Sequence, residues 1–147
     1  KPYSANGADE IEFLICTNTG EEAKPLAKIA SGGELARIML AIKNVLAEKD
    51  NIGTIIFDEV DTGVSGRAAQ KIGKKLAEVA RHRQVICVTH LAPVAACAAH
   101  HYRIYKTVED GRTFTRVEKL TREQRVQELA RIMVGENITE SALKRAE

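Results

Sequence analysis

Thr54-Ile55-Ile56-Phe57-Asp58-Glu59 is an apolar run that ends abruptly in two carboxylates. It is too short and too continuously apolar for a surface strand, and predicts a strand buried on both faces, as in a parallel sheet. Behind it, Gly63-Val64-Ser65-Gly66 forms a turn with Ser65 as a cap, and Ala69, Ile72, Leu76, Val79 and Ala80 stripe a helix to about Arg81. Gln84–Val88 is a second buried strand, ending at Thr89-His90. Strand, helix, strand is a βαβ unit, so Asp58, Glu59 and His90 fall at one carboxyl edge of a parallel sheet, where open α/β sheets place their sites.

Working outward, Leu35, Ile38, Met39, Ile42, Val45 and Leu46 recur at three- and four-residue steps. They predict one apolar face of a helix over about 34–48, with Ser31-Gly32-Gly33-Glu34 at its start. Residues 10–17 read as a strand, followed by a turn at Asn18-Thr19-Gly20-Glu21. Downstream, Leu91–Ala99 is a short alanine-rich helix with Pro93 in its first turn. Tyr102–Thr107 and Thr113–Lys119 around Asp110-Gly111 make a hairpin, and Arg122–Val134 and Thr139–Ala146 are helices separated by Gly135 and Asn137.

The 147 residues carry 22 Lys+Arg against 20 Asp+Glu, and 44% of them are hydrophobic, which suits one ordinary soluble domain over 1–147 with a real core. No basic arm announces nucleic acid, and no apolar stretch approaches the roughly 20 residues of a membrane span. Cys16, Cys87 and Cys97 are odd in number, which argues against a disulfide framework and for the cytoplasm. The chain starts at Lys1 rather than Met, so it is expected to be a piece of something longer.

Three features carry chemistry. Of two carboxylates at a sheet mouth, one can hold magnesium through water and the other can deprotonate an attacking water. Ser31-Gly32-Gly33-Glu34 at a helix start offers backbone amides, a hydroxyl and the helix dipole to an anion. His90 at the same sheet edge can touch a terminal phosphate. Each alone has a plainer reading: a solvated strand end, a glycine turn with a serine cap, a structural histidine. Cys87, His90, Cys97 and His100 also have zinc-ligand spacing, against which stands the reading of core cysteines and two surface histidines.

In combination and in this order, the features resemble the second half of an ABC-type ATPase head. In that resemblance Ser31–Glu34 is the signature motif, Ile55–Glu59 the Walker B strand, Asp61 the D-loop aspartate and His90 the switch histidine. The finer likeness is to the RecN family of DNA repair proteins, relatives of the SMC proteins. It is carried by the strings Lys28-Ile29-Ala30-Ser31-Gly32-Gly33-Glu34-Leu35-Ala36-Arg37-Ile38-Met39-Leu40-Ala41 and Ile56-Phe57-Asp58-Glu59-Val60-Asp61-Thr62-Gly63-Val64-Ser65-Gly66. Val88-Thr89-His90-Leu91 and Gln127-Glu128-Leu129-Ala130-Arg131 extend it over nearly the whole chain. Transporter ATPases typically carry Leu-Ser-Gly-Gly-Gln and a Ser-Ala-Leu-Asp D-loop, so Glu34 and Val60–Gly66 argue against that branch. One departure from the RecN pattern is Leu91-Ala92-Pro93-Val94, where the family usually reads Leu-Pro-Gln-Val.

The resemblance implies an α/β lobe, a mostly parallel sheet with flanking helices and a β-hairpin, that works in DNA double-strand break repair and recombination. It implies Mg2+ on Asp58, Glu59 as general base, His90 on the γ-phosphate, and Ser31, Gly32, Gly33 and Glu34 on ATP held by a second head, with Asp61 in the interface between heads. The phosphate loop Gly-x-x-x-x-Gly-Lys-Ser/Thr is missing: Gly73-Lys74 is followed by Lys75, and Ala68 sits where the first glycine is required. The implied partners are therefore an N-terminal lobe carrying that loop, a second head and, through the full-length protein, DNA, with a cytoplasmic, nucleoid-associated location. A rival of another class is a non-catalytic interaction or tethering module.

Overall fold

The computed structural model describes residues 5, 7–9, 11–16, 19–29, 31–46, 49, 51–135 and 138–146. Of the positions named above, Lys1, Glu10, Thr17, Asn18, Ala30, the helix end at 47–48 and Asn137 lie outside the described residues. The chain divides into two compact units, 1–31 and 32–147.

In the first unit, β1 (Leu14–Ile15) pairs antiparallel with β2 (Lys24–Pro25), and α1 (Leu26–Ile29) follows directly. The strand expected over 10–17 is thus two residues long among the described ones. Its partner ends on Pro25, which has no N–H to extend the ladder.

The second unit opens with α2 (Gly32–Val45), then β3 (Thr54–Phe57), α3 (Gly66–Val79) and β4 (Gln84–Cys87). β3 and β4 pair in parallel from Thr54↔Gln84 to Phe57↔Cys87, so the βαβ unit and its common carboxyl edge are as the sequence predicts. Next come α4 (Ala92–Ala95), with Pro93 in its first turn, and the hairpin of β5 (Tyr102–Glu109) and β6 (Arg112–Lys119). Asp110 and Gly111 both have positive φ (49° and 73°), the backbone of a two-residue hairpin turn. α5 (Arg122–Val134) starts on a capping box, in which Gln124 N–H donates to Thr121 Oγ1 and Thr121 N–H donates to Gln124 Oε1. α6 (Glu140–Ala146) ends the described chain.

One core cluster gathers Leu40 from α2, Phe57 from β3, Val60 from the following turn, Ala69, Ile72, Leu76 and Val79 from α3, and Val94 from α4. A second joins Ala92 and Ala95 of α4 to Leu129 of α5. Burying each of the larger side chains contributes about 2 kcal/mol.

α2 turns Gly33, Leu40 and the half-buried Ala36 inward, whereas of its apolar stripe Ile38 is half-buried and Leu35, Met39, Ile42, Val45 and Leu46 are exposed. The expectation of a strand buried on both faces is corrected. β3 is buried on one face only: Phe57 is buried and Ile56 is 66% exposed, with Ile86 and Val88 beside it on the same open side. Both apolar surfaces are real features of the sequence, but nothing among the described residues covers them.

Candidate functional site at the β3–β4 edge

The turn after β3 builds the site. Asp58 and Glu59 leave the strand exposed, and Glu59 takes φ +59°, a left-handed conformation uncommon outside glycine. Thr62 N–H donates back to Glu59 O (3.0 Å) and Val64 N–H to Asp61 O (3.3 Å), so the chain winds into a tight turn over 59–64.

This reversal brings Glu59 to the start of α2. A Cβ on Gly32 would lie 2.7 Å from Glu59 Oε2. One on Gly33 would lie 2.9 Å from Thr62 O and 3.1 Å from Glu59 O. At Gly33, where two of the close atoms are backbone, only glycine lets the helix approach the turn this closely, which gives that glycine a structural reason beside any functional one; at Gly32 the close atom is the far end of an exposed side chain. Arg37, one turn further along α2, donates from Nη1 to Thr62 O (2.8 Å) and more distantly to Val60 O (3.4 Å).

Asp61 points the other way. It is 2% exposed, and its Oδ2 accepts from Thr89 Oγ1 (2.5 Å) and from the backbone N–H of His90 (3.2 Å), with His90 Nδ1 at 3.5 Å. Thr89 Oγ1 in turn accepts from Leu91 N–H (3.1 Å). A buried carboxylate needs partners, and within this lobe Asp61 takes them from Thr89 and His90. The imidazole of His90 stays outward, 71% exposed at the sheet mouth.

Asp58, Glu59, Asp61, His90, Gly32 and Gly33 are therefore gathered around one turn and one sheet edge. Glu34 lies on the first turn of α2 and is half-buried, and Ser31 is the last residue of the first unit and is exposed. Arg37 and Thr89 escaped the sequence reading. Both stand inside the quoted strings, Arg37 three residues after Glu34 and Thr89 beside His90, but neither was singled out for a contact of its own.

The zinc pattern finds no support. No three metal-capable His, Cys, Asp or Glu side chains gather among the described residues. Cys87 is half-buried at the end of β4, and burial, aided by the carboxylates of Asp61 and Asp58, pushes its thiol up to about 11. Cys97 is exposed rather than in the core, its Sγ turned to Pro93 O (3.4 Å). For magnesium the donor set does fit: the ion takes one or two carboxylates and completes its shell with water and phosphate oxygens, which one exposed Asp58 at the sheet mouth satisfies.

Among the described residues, no helix is long and apolar enough to cross a membrane. No protein-family model matches the chain. Among curated proteins, it is 50% identical over 140 residues, 95% of its length, to the DNA repair protein RecN of Bacillus subtilis. It is 46% identical over 146 residues, 99% of its length, to RecN of Treponema pallidum, and 47% identical over 140 residues to RecN of Vibrio cholerae. The chain spans about a quarter of the length of these relatives, 24% of the first and 25% of the other two. A solved chain from work on ATP-driven dimerisation and DNA-stimulated activation of SMC ATPases superposes with a TM-score of 0.53, covering 82% of this chain and 79% of that one at 18% identity. That likeness concerns the fold, an α/β lobe of the SMC ATPase kind. With sequence identity near one half sustained over almost its full length, the chain belongs to the RecN family, as a segment of about a quarter of its members' length.

Proposed function

We propose that this chain is the C-terminal half of an ATPase head, one that dimerises around ATP in the repair and recombination of broken DNA. The observation that carries the reading is the convergence on one turn: Glu59 against the glycines that open α2 on one side, Asp61 joined to Thr89 and His90 on the other. RecN relatives and the SMC-like fold support it.

In this reading Asp58 holds magnesium through water, and the ion neutralises charge on the nucleotide's phosphates. Glu59 accepts the proton of the water that attacks the γ-phosphorus. His90 donates to the γ-phosphate, steadied from behind by its backbone bond to Asp61. Ser31, Gly32, Gly33 and Glu34 present the N-terminal end of α2 to nucleotide bound by the second head, where amides and the helix dipole favour phosphate. The lobe carrying the phosphate loop comes from the remaining length of the protein. Asp61 lies in the interface between heads and couples the two sites, through a turn whose backbone it helps to fix. DNA is met through the full-length protein, in the cytoplasm at the nucleoid.

The test is made in the full-length protein. Glu59→Gln is expected to retain ATP-induced dimerisation while turnover falls at least about a hundredfold, the scale of a lost general base. Hydrolysis at the wild-type rate would remove Glu59 from the role. The tethering alternative is separated by mixing this chain with the segment holding the phosphate loop: ATPase activity arising only on mixing supports the split site, and none under either condition favours the tether.

A further inference from the structure

Between the start of α2, which in the reading above serves the partner's nucleotide, and the base Glu59, which serves the chain's own, runs a physical connection with one charged side chain at its centre. Arg37 is half-buried, and its guanidinium Nη1 donates to two backbone carbonyls of the turn that carries Glu59: Thr62 O at 2.8 Å and Val60 O at 3.4 Å. Thr62 N–H also bonds back to Glu59 O, so the carbonyl that Arg37 holds best belongs to the residue that closes the turn on Glu59. A Cβ on Gly33 would lie 3.0 Å from Arg37 Nη1, so guanidinium, helix start and turn are packed without slack. On its far side the same turn is anchored by buried Asp61 to Thr89 and His90.

A guanidinium nitrogen between two carbonyls makes charge-assisted contacts, stronger than those of a neutral donor. The left-handed Glu59 is a conformation that persists only where its surroundings hold it. We propose that Arg37 is the positioning residue that holds Glu59 in this conformation and ties it to α2, so that a shift of α2 on meeting the second head's nucleotide is transmitted to the catalytic carboxylate. The proposal rests on Glu59 being the base.

The experiment uses the full-length protein and four variants: Arg37→Ala, Arg37→Lys, Glu59→Gln and Arg37→Ala with Glu59→Gln. Nucleotide affinity, ATP-induced dimerisation, kcat, KM and thermal midpoint are measured for each. Arg37→Ala is expected to lower kcat at least about tenfold with KM and nucleotide affinity within twofold, the signature of a group acting on turnover rather than on ground-state binding. Arg37→Lys, which keeps the charge but ends about one bond short of the Nη1 position, is expected to fall between wild type and Arg37→Ala. Millimolar guanidinium is expected to restore part of the Arg37→Ala rate. In the Glu59→Gln background Arg37→Ala is expected to change residual turnover by less than twofold, because it acts through that carboxylate.

Wild-type kcat in Arg37→Ala would overturn the proposal, as would a further loss in the double variant equal to that in the single one. Should Arg37→Ala fail to fold, Arg37→Lys decides: a wild-type kcat there overturns the proposal, and a lowered kcat with unchanged KM and melting upholds it. If Glu59→Gln itself leaves turnover intact, it is the assignment of the base that fails, a result distinct from a silent Arg37.

Discussion

Gly33→Ala asks whether helix propensity or packing governs the start of α2. Alanine inside a helix is favoured over glycine by up to about 1 kcal/mol, so on propensity alone the substitution stabilises. Against this, the new methyl would meet Thr62 O at 2.9 Å, Glu59 O at 3.1 Å and Arg37 Nη1 at 3.0 Å. Two of these atoms are backbone in a tight turn and cannot swing aside, and overpacking of this kind costs about 1–3 kcal/mol. Displacing Arg37 from Thr62 O removes a further charge-assisted bond worth roughly 1.5 kcal/mol. The net is a loss of about 2 kcal/mol, or a fall in melting temperature of about 8 °C for a unit of this size. Gly32→Ala is the internal control. Its methyl would meet only Glu59 Oε2, at 2.7 Å, the far end of an exposed side chain that can rotate away, so its stability should stay within about 0.5 kcal/mol of the parent. Differential scanning fluorimetry with urea titration of the two variants and the parent makes the comparison. A Gly33→Ala protein as stable as the parent, or a Gly32→Ala protein that loses as much as Gly33→Ala, would refute the reasoning.

Other outcomes follow from single contacts. In the middle of α3, a Cβ on Gly73 would lie 2.7 Å from Cys97 Sγ and 3.1 Å from Pro93 O; Gly73→Ala should therefore destabilise by about 1 kcal/mol, and adding Cys97→Ala should return part of it in a double-mutant cycle by urea denaturation. Cys87, its thiol pushed up to about 11, holds roughly one thiolate in a thousand at pH 8, so mass-spectrometric timing of iodoacetamide labelling should find it alkylated more slowly than an unperturbed thiol, with a steep gain toward pH 10. His101 is held below its ordinary 6.5, first by burial and then by Arg125, with Glu128 opposing. Its proton binds the unfolded chain more readily, so the stability it contributes is full above pH 6.5 and declines as pH falls from there toward the folded value. His101→Gln should flatten urea-derived stability between pH 5 and 7, a range in which Glu128, itself lowered by Arg131, stays ionised.

The elements whose signals are local were legible. The Asp110-Gly111 hairpin, the helix over Arg122–Val134 and the βαβ unit that pairs β3 with β4 are each marked by short runs of residues, and each is present. The gathering of Asp58, Glu59 and His90 at one edge followed from the βαβ unit alone. The sidedness of α2 was not legible. Periodicity identifies an apolar stripe but not what covers it, and the stripe at Leu35, Met39, Ile42, Val45 and Leu46 stands open here while Leu40 makes the core contact. The partners of the Asp61 carboxylate were not legible, because nothing local shows that Thr89, 28 positions away, will supply one. Arg37 was invisible for a similar reason: its function lies in backbone carbonyls, which have no letter in the sequence.

The open side of β3 and β4 makes mutational tolerance depend on how much of the protein is tested. Ile56, Ile86 and Val88 give this segment little of its stability, so replacing them with threonine should leave its unfolding nearly unchanged and improve its solubility. If the remaining length of a RecN protein closes over the same face, those substitutions become severe core defects in the whole molecule. A scan of tolerated residues performed on the segment and on the complete protein would then disagree at these three positions. The pattern of disagreement would trace the outline of whatever covers this face in the complete protein.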